Sequence, residues 1–280
     1  MLDKRLVIVS GKGGVGKSAV TSGLGLLAQR NGLRVLAVEM EPGGGLSAHF
    51  GTGPLDFEPR EVRPGLHAMQ MVRSEALLEY LQLQLKLPGM GRFGAMARAF
   101  DALATAAPAV REIVTIGKIL WEVKEERWDM VVVDAPPTGQ IASYLRAPAS
   151  ISELVATGRI RSQAEWMAAT LADPDMTALV LVTLPEELPT TETMETITWI
   201  ESEGVVSPPT IIANRVLDEV TVKTPPGTAG EMVTLHKSLW VEQQHWLERL
   251  PPHLIIQYLF GLFTPGEVAA HMSDDLEALR

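Results

Sequence analysis

Apolar residues recur along this chain in short unbroken runs: Leu6–Val9, Val35–Val38, Met130–Val133, Leu179–Val182, Thr210–Ala213 and Leu254–Ile256. Runs that are continuous rather than alternating are expected of parallel strands covered by helices on both faces. Between them the spacing turns helical. Val20, Leu24, Leu27 and Ala28 fall on one face, and Gly32 follows as a C-terminal stop. This alternation predicts an α/β fold built on a doubly wound, mostly parallel sheet.

Two stretches break the alternation. Residues 73–128 separate two strands by far more than a crossover helix needs; they are rich in Leu, Ala and Met and interrupted near Pro88-Gly89 and Pro108. Residues 149–173 make a shorter helical excursion. Both are read as a helical subdomain at one edge of the sheet, within a single 1–280 domain that has no true linker. Residues 229–250 carry a further helical pattern, and Pro265 to Leu279 reads as a closing helix.

Length and charge narrow the class. The 280 residues suit one large α/β domain. The 24 basic and 34 acidic residues leave a charge of −10, against a nucleic-acid binder that works through bulk positive charge. The absence of cysteine removes disulfides, thiolate metal sites and cysteine nucleophiles together, and the six scattered histidines show no zinc spacing. No secretory signal is visible, and every apolar run is shorter than the roughly eighteen residues of a membrane span. A soluble, cytoplasmic protein without stable membrane insertion is expected.

Candidate chemistry gathers at strand ends. Gly11-Lys12-Gly13-Gly14-Val15-Gly16-Lys17-Ser18 matches G-x-x-x-x-G-K-[ST], directly after a strand and before a helix. Backbone amides of Gly13, Gly14, Val15, Gly16, Lys17, Ser18 and Ala19 are placed to wrap phosphates at a helix N-terminus. Lys17 is expected on the β- and γ-phosphates of ATP and the Ser18 hydroxyl on Mg²⁺. Asp134 ends the strand in Val131-Val132-Val133-Asp134-Ala135-Pro136-Pro137-Thr138-Gly139, where a carboxylate can hold Mg²⁺ through water. Asn214 lies just beyond another strand; its amide suits the edge of adenine, or else merely forms a turn. These positions coincide with the ligand crevice of open α/β sheets.

With these motifs the chain resembles the arsenite-pump and tail-anchored-protein targeting ATPases. The likeness rests on the P-loop, the Asp-Ala-Pro-Pro-Thr-Gly run through Leu145 and Pro148, the late Asn214 and the position of the helical excursions. Lys12, inside the loop, resembles the signature lysine of dimerising ATPases, which approaches the nucleotide of the facing subunit; otherwise it is a solvated surface lysine. Partition and division-site ATPases and the nitrogenase iron protein share that lysine but not the Pro-Thr-Gly switch. Glu39-Met40-Glu41-Pro42-Gly43-Gly44-Gly45 stands where the family shows Asp-Pro-Ala-His-Asn, so Glu41 takes the place of the aspartate that orients the attacking water. Glutamate is one methylene longer and the glycines predict a loose loop, so either Glu41 positions water or turnover is slow.

The resemblance implies a Mg²⁺-dependent, dimeric ATPase whose cycle drives a protein client, as a homodimer or as a heterodimer with a paralogous ATPase. Lys12, Lys17, Glu41 and Asp134 would be catalytic. In the targeting ATPases an apolar groove between helical subdomains holds a transmembrane client. Here Leu77, Leu78, Leu81, Leu85, Met90, Phe93, Met96 and Phe100 supply such a surface or simply pack their helices together. Arsenite sensing in the pump ATPases depends on cysteines and is not expected. Two alternatives stand beside this reading: a hydrolysis-poor nucleotide-binding subunit, and a positioning ATPase of the partition or division-site kind.

Overall fold

A computed structural model describes residues 1–85 and 109–279. Among them, eight strands form one sheet: β1 (Leu6–Gly11), β2 (Val35–Glu39), β3 (Arg60–Arg63), β4 (Leu66–Gln70), β5 (Met130–Asp134), β6 (Thr177–Thr183), β7 (Thr210–Val216) and β8 (His253–Gln257). Their spatial order is β3-β4-β2-β5-β1-β6-β7-β8. Every pairing is parallel except β3 with β4. All six apolar runs are strands, and the α/β doubly wound sheet is the observed class.

The β3–β4 pair was not foreseen, for a physical reason. Strand β3 reads Arg-Glu-Val-Arg and lies mostly exposed at the sheet edge, while His67 and Gln70 interrupt the apolar content of β4. Neither segment carries the all-apolar signature of a strand buried on both faces.

Nine helices cover the sheet in the described residues: α1 (Lys17–Arg30), α2 (Leu46–His49), α3 (Arg73–Leu85), α4 (Ala109–Lys124), α5 (Thr138–Leu154), α6 (Arg159–Ala172), α7 (Glu187–Glu203), α8 (Thr228–Leu247) and α9 (Pro265–Asp275). Alternate strand residues feed two cores. Leu6, Ile8, Val131, Val133, Leu179 and Leu181 face a layer made by α4, α5, α6 and α7. Val7, Val9, Val132, Val180 and Val182 face α1 and α9. The period of two along each strand thus places a helix layer on either face.

The described parts of 73–128 and 149–173 are largely helical, with non-helical breaks at 125–128 and 155–158. Ile116, Ile119 and Leu120 of α4 and Met167 and Leu171 of α6 belong to the first of these cores. Leu77 is buried and Leu78 half-buried, whereas Met90, Phe93, Met96 and Phe100 lie outside the described residues. A buried ionic cluster joins α3 to α4: Lys118 bridges Glu79 at 2.6 Å and Glu122 at 2.8 Å, and Glu122 also accepts from Arg127 and the Trp128 indole. Burial pushes the Glu122 carboxyl up, but the hydrogen bonds from Lys118 and Trp128 and the two cations outweigh it and hold the carboxyl below its usual range. Among the described residues, no helix is long and apolar enough to cross a membrane.

Candidate active site

Strand β1 lies between β5 and β6, so the loop that leaves it emerges over the crevice where successive strands are laid to opposite sides. The loop reaches α1 through Gly16, whose φ of 103° lies in the left-handed region and favours glycine. Gly16 is also pressed against the Asn214 side chain, which leaves no room for a Cβ. The first turn of α1 has no side-chain cap and no acidic residue. Its free amides and the open space beside Gly13 and Gly14 make a cradle for an anion.

Asn214 is buried and lies within β7 (Thr210–Val216) rather than just beyond the strand, because the strand runs on through Arg215 and Val216. Its Nδ2 donates to the Val15 carbonyl at 2.9 Å and its Oδ1 accepts from the Arg215 N–H at 2.9 Å. The residue expected at the adenine edge therefore braces the P-loop from beneath.

Three carboxylates, Asp134, Glu41 and Glu39, and two P-loop side chains, Lys17 and Ser18, meet near this point. The Ser18 hydroxyl donates to Asp134 Oδ2 at 2.5 Å, while the buried Asp134 Oδ1 has no partner. Burial pushes Asp134 up to about 6, reinforced by the charge of Glu41 and opposed by the Ser18 hydrogen bond and Lys17. Lys17 Nζ donates to the Lys12 carbonyl at 3.3 Å. Burial lowers its pKa, and the charges of Asp134 and Glu41 pull it back. Glu41, half-exposed, thus sits close enough to act on both groups.

Glu39 was missed as a site residue. It is the last residue of β2, in register beside Asp134 on β5, and buried. Burial, then the neighbouring Asp134 charge, pushes its carboxyl up to about 7, against a hydrogen bond from the Gly44 N–H. The available signal was positional: Glu39 ends an apolar strand at the same C-terminal side of the sheet as Asp134.

That carboxylate also explains the glycines of the following loop. A Cβ at Gly44 would run into the Glu39 carboxylate, and one at Gly45 would stand 2.9 Å from Ser18 Cβ. Close approach, rather than the looseness expected from sequence, accounts for these two residues; the loop lies directly on Ser18.

An unpartnered, buried carboxylate oxygen beside a hydroxyl fits a small hard cation. Among the described residues there is no group of three or more His, Cys, Asp or Glu that could hold a metal alone. Mg²⁺ commonly takes few protein ligands and completes its shell with water and substrate phosphate.

Lys12 points away from the cradle in this chain. Its ammonium is ion-paired with Glu192 of α7, and Glu192 Oε2 accepts from the Thr138 hydroxyl at 3.1 Å. Glu186 and Glu187, at the start of this segment, are exposed; Glu192, further along the helix, is the one that meets the loop. The Ser10 hydroxyl ties the end of β1 to the Pro136 carbonyl at 2.7 Å, so P-loop and Asp134 segment are joined on both sides of the crevice.

A model of the anion-transporting ATPase family matches residues 4–167 and 156–229. ATPase BagA of Mycobacterium tuberculosis is 36% identical over 204 residues, covering 69% of this chain and 60% of that protein. ATPase get3 of Schizosaccharomyces japonicus is 30% identical over 154 residues, covering 54% of this chain and 46% of the relative. The match to ATPase ASNA1 homolog 1 of Paramecium tetraurelia is 25% over 143 residues, or 51% and 43% of the two chains. This chain thus spans less than two thirds of the length of these relatives.

Proposed function

The chain belongs to the anion-transporting ATPase family, and from that premise we propose that it binds and hydrolyses Mg²⁺-ATP in the cytoplasm, using the reaction to open and close a dimer. The observation that carries this reading is the convergence of Lys17, Ser18 and the half-satisfied Asp134 on one uncapped helix N-terminus.

The amides of Gly13 to Ala19 and the Lys17 ammonium hold the phosphates, and Lys17 leaves the Lys12 carbonyl to do so. Ser18 and Asp134 hold Mg²⁺, which would neutralise charge developing on the transferred phosphoryl group. Glu41 orients the attacking water. Asn214 keeps the loop in shape beneath the nucleotide. Lys12 completes the site of a second chain, which makes two copies, or one copy and a paralogous ATPase, the working unit. The helices of 73–128 and 149–173 form the subdomain that takes a protein client, moved by that cycle.

The deciding experiment is steady-state Mg²⁺-ATP hydrolysis by the purified chain with its oligomeric state followed in the same samples, alongside Lys12→Ala and Glu41→Ala. Turnover lost in both variants, with an ATP-dependent dimer in the parent, is the expected result. Tight ATP binding with turnover indifferent to Glu41→Ala would overturn it in favour of a subunit that binds nucleotide and leaves hydrolysis to a paralogue.

A further inference from the structure

Glu192 has no part in the chemistry assigned above, yet it touches two elements of the site at once. One carboxylate oxygen pairs with the Lys12 ammonium. The other accepts from Thr138, the first residue of α5 and the fourth residue after Asp134. Lys12 is 32% exposed and Glu192 36% exposed, so the pair is screened but reachable. Thr138 itself is buried, which fixes the geometry of the carboxylate from the α5 side.

The geometry points to Glu192 as a positioning residue that holds Lys12 within its own chain and ties it to the start of α5. This rests on the proposed role of Lys12 in a second chain's site. A lysine whose charge is matched by Glu192 is withheld from a facing nucleotide. Its release requires the Glu192 carboxylate to shift, and that carboxylate is anchored to the segment that follows the metal-binding Asp134. Displacement of the Asp134–Pro136–Thr138 segment when nucleotide and metal arrive is then transmitted through one side chain to the lysine that a second chain needs. The arrangement makes the unliganded chain a poor partner and couples dimer closure to occupancy of its own site. A neighbouring groove lined by Gly139, Ala142, Glu195 and Trp199 gives the carboxylate room to turn.

The test reads the ammonium directly. Trace acetylation of lysines in the nucleotide-free protein, quantified by mass spectrometry against exposed Lys223 as internal reference, reports how free Lys12 is. Glu192→Gln keeps the shape and removes the charge, and is expected to raise Lys12 labelling about five-fold, the scale on which a partly screened ion pair shifts a population. Thr138→Val, which leaves the pair but loosens its anchor, is expected to give a smaller rise. Equal labelling of Lys12 in the parent and in Glu192→Gln would overturn the proposal. Sedimentation with Mg²⁺-ATP completes the experiment: Glu192→Gln should dimerise at lower protein concentration than the parent, and no such gain once Lys12→Ala is added. If no variant assembles with nucleotide, the dimer reading fails, while the labelling still decides whether Glu192 holds Lys12.

Discussion

Asp134 stores a measurable cost in the nucleotide-free protein, and Asp134→Asn exposes it. The carboxyl is pushed from an ordinary value of 3.8 up to about 6, chiefly by burial. A native pKa above the unfolded one means the fold binds the proton more tightly than the unfolded chain does. The contribution therefore favours the fold fully below about pH 4 and is lost as pH rises through about 6. Above that, a shift of about 2 units corresponds to about 3 kcal/mol of destabilisation. Asparagine keeps an acceptor for the Ser18 hydroxyl and carries no charge to bury. With an unfolding entropy of about 2.1 cal/mol/K per residue, this chain unfolds with about 0.6 kcal/mol/K, so the variant should melt about 5 °C higher. Differential scanning calorimetry in EDTA at about pH 7.5 makes the measurement. At about pH 4.5 the advantage should shrink to roughly a third, because the native parent is then already protonated. With Mg²⁺ and ATP the order should reverse, since the parent gains ligand and the variant does not. An unchanged or lower melting point at neutral pH, or an advantage that persists in acid, would refute the assignment of Asp134 as a buried charge awaiting a cation.

Three other substitutions test neighbouring parts of the argument. Asn214→Ala strands the buried Val15 carbonyl and should cost about 1–3 kcal/mol by urea denaturation; ATP affinity should fall with it by isothermal titration, through the loop. Gly44→Ala pushes a methyl group into the Glu39 carboxylate and should cost about 1–3 kcal/mol, the range for overpacking. The same change made in a Glu39→Ala background should cost much less, a coupling that a double-mutant cycle reads out. Glu122→Ala leaves Lys118 buried with only Glu79 beside it and should destabilise the chain by about 3–5 kcal/mol. Because the Glu122 carboxyl is held below its usual range, its contribution is present above the ordinary glutamate value and lost as pH falls through its lowered one, so stability-versus-pH curves of parent and variant should converge in acid.

The frame of the fold was legible because burial on both faces leaves an unmistakable trace. Six runs such as Val131-Val132-Val133 are apolar without alternation, and all six are strands. The P-loop was legible for a related reason: cradling phosphate demands glycines, a lysine and a hydroxyl at fixed offsets in contiguous sequence. The β3–β4 pair was not, since an edge strand such as Arg60–Arg63 has no face to bury and so no periodicity to betray it. Asn214 was singled out for the adenine edge; in this chain its amide faces down onto Val15, an orientation that distance along the chain does not encode. The Lys12–Glu192 pair spans 180 residues, and no local pattern marks Glu192 among the other acidic residues of α7.

The Glu39 loop shows how one buried group can make several sequence oddities a single fact. Taken separately, Glu41 looks like an aspartate displaced by a methylene, and Gly43-Gly44-Gly45 like a loss of ordered side chains. In the structure a buried carboxylate stands at the end of β2 and occupies the volume a side chain at position 44 would fill. Glycine there is the steric consequence of Glu39, and Gly45 follows from contact with Ser18. The same carboxylate sits in register with Asp134 and titrates near neutrality because of burial and that neighbouring charge. A cation bound between Ser18 and Asp134 would draw the Glu39 proton off and strengthen its hold on the Gly44 N–H. If Ser18 and Asp134 hold the metal and Glu41 the water, as proposed, Glu39 would connect metal arrival to the ordering of the loop that carries Glu41. Gly44 and Gly45 would then serve the site rather than mark its erosion, and Glu39→Gln should uncouple the loop from metal: backbone amide exchange at 41–45 would slow on adding Mg²⁺-ATP to the parent and respond far less in the variant.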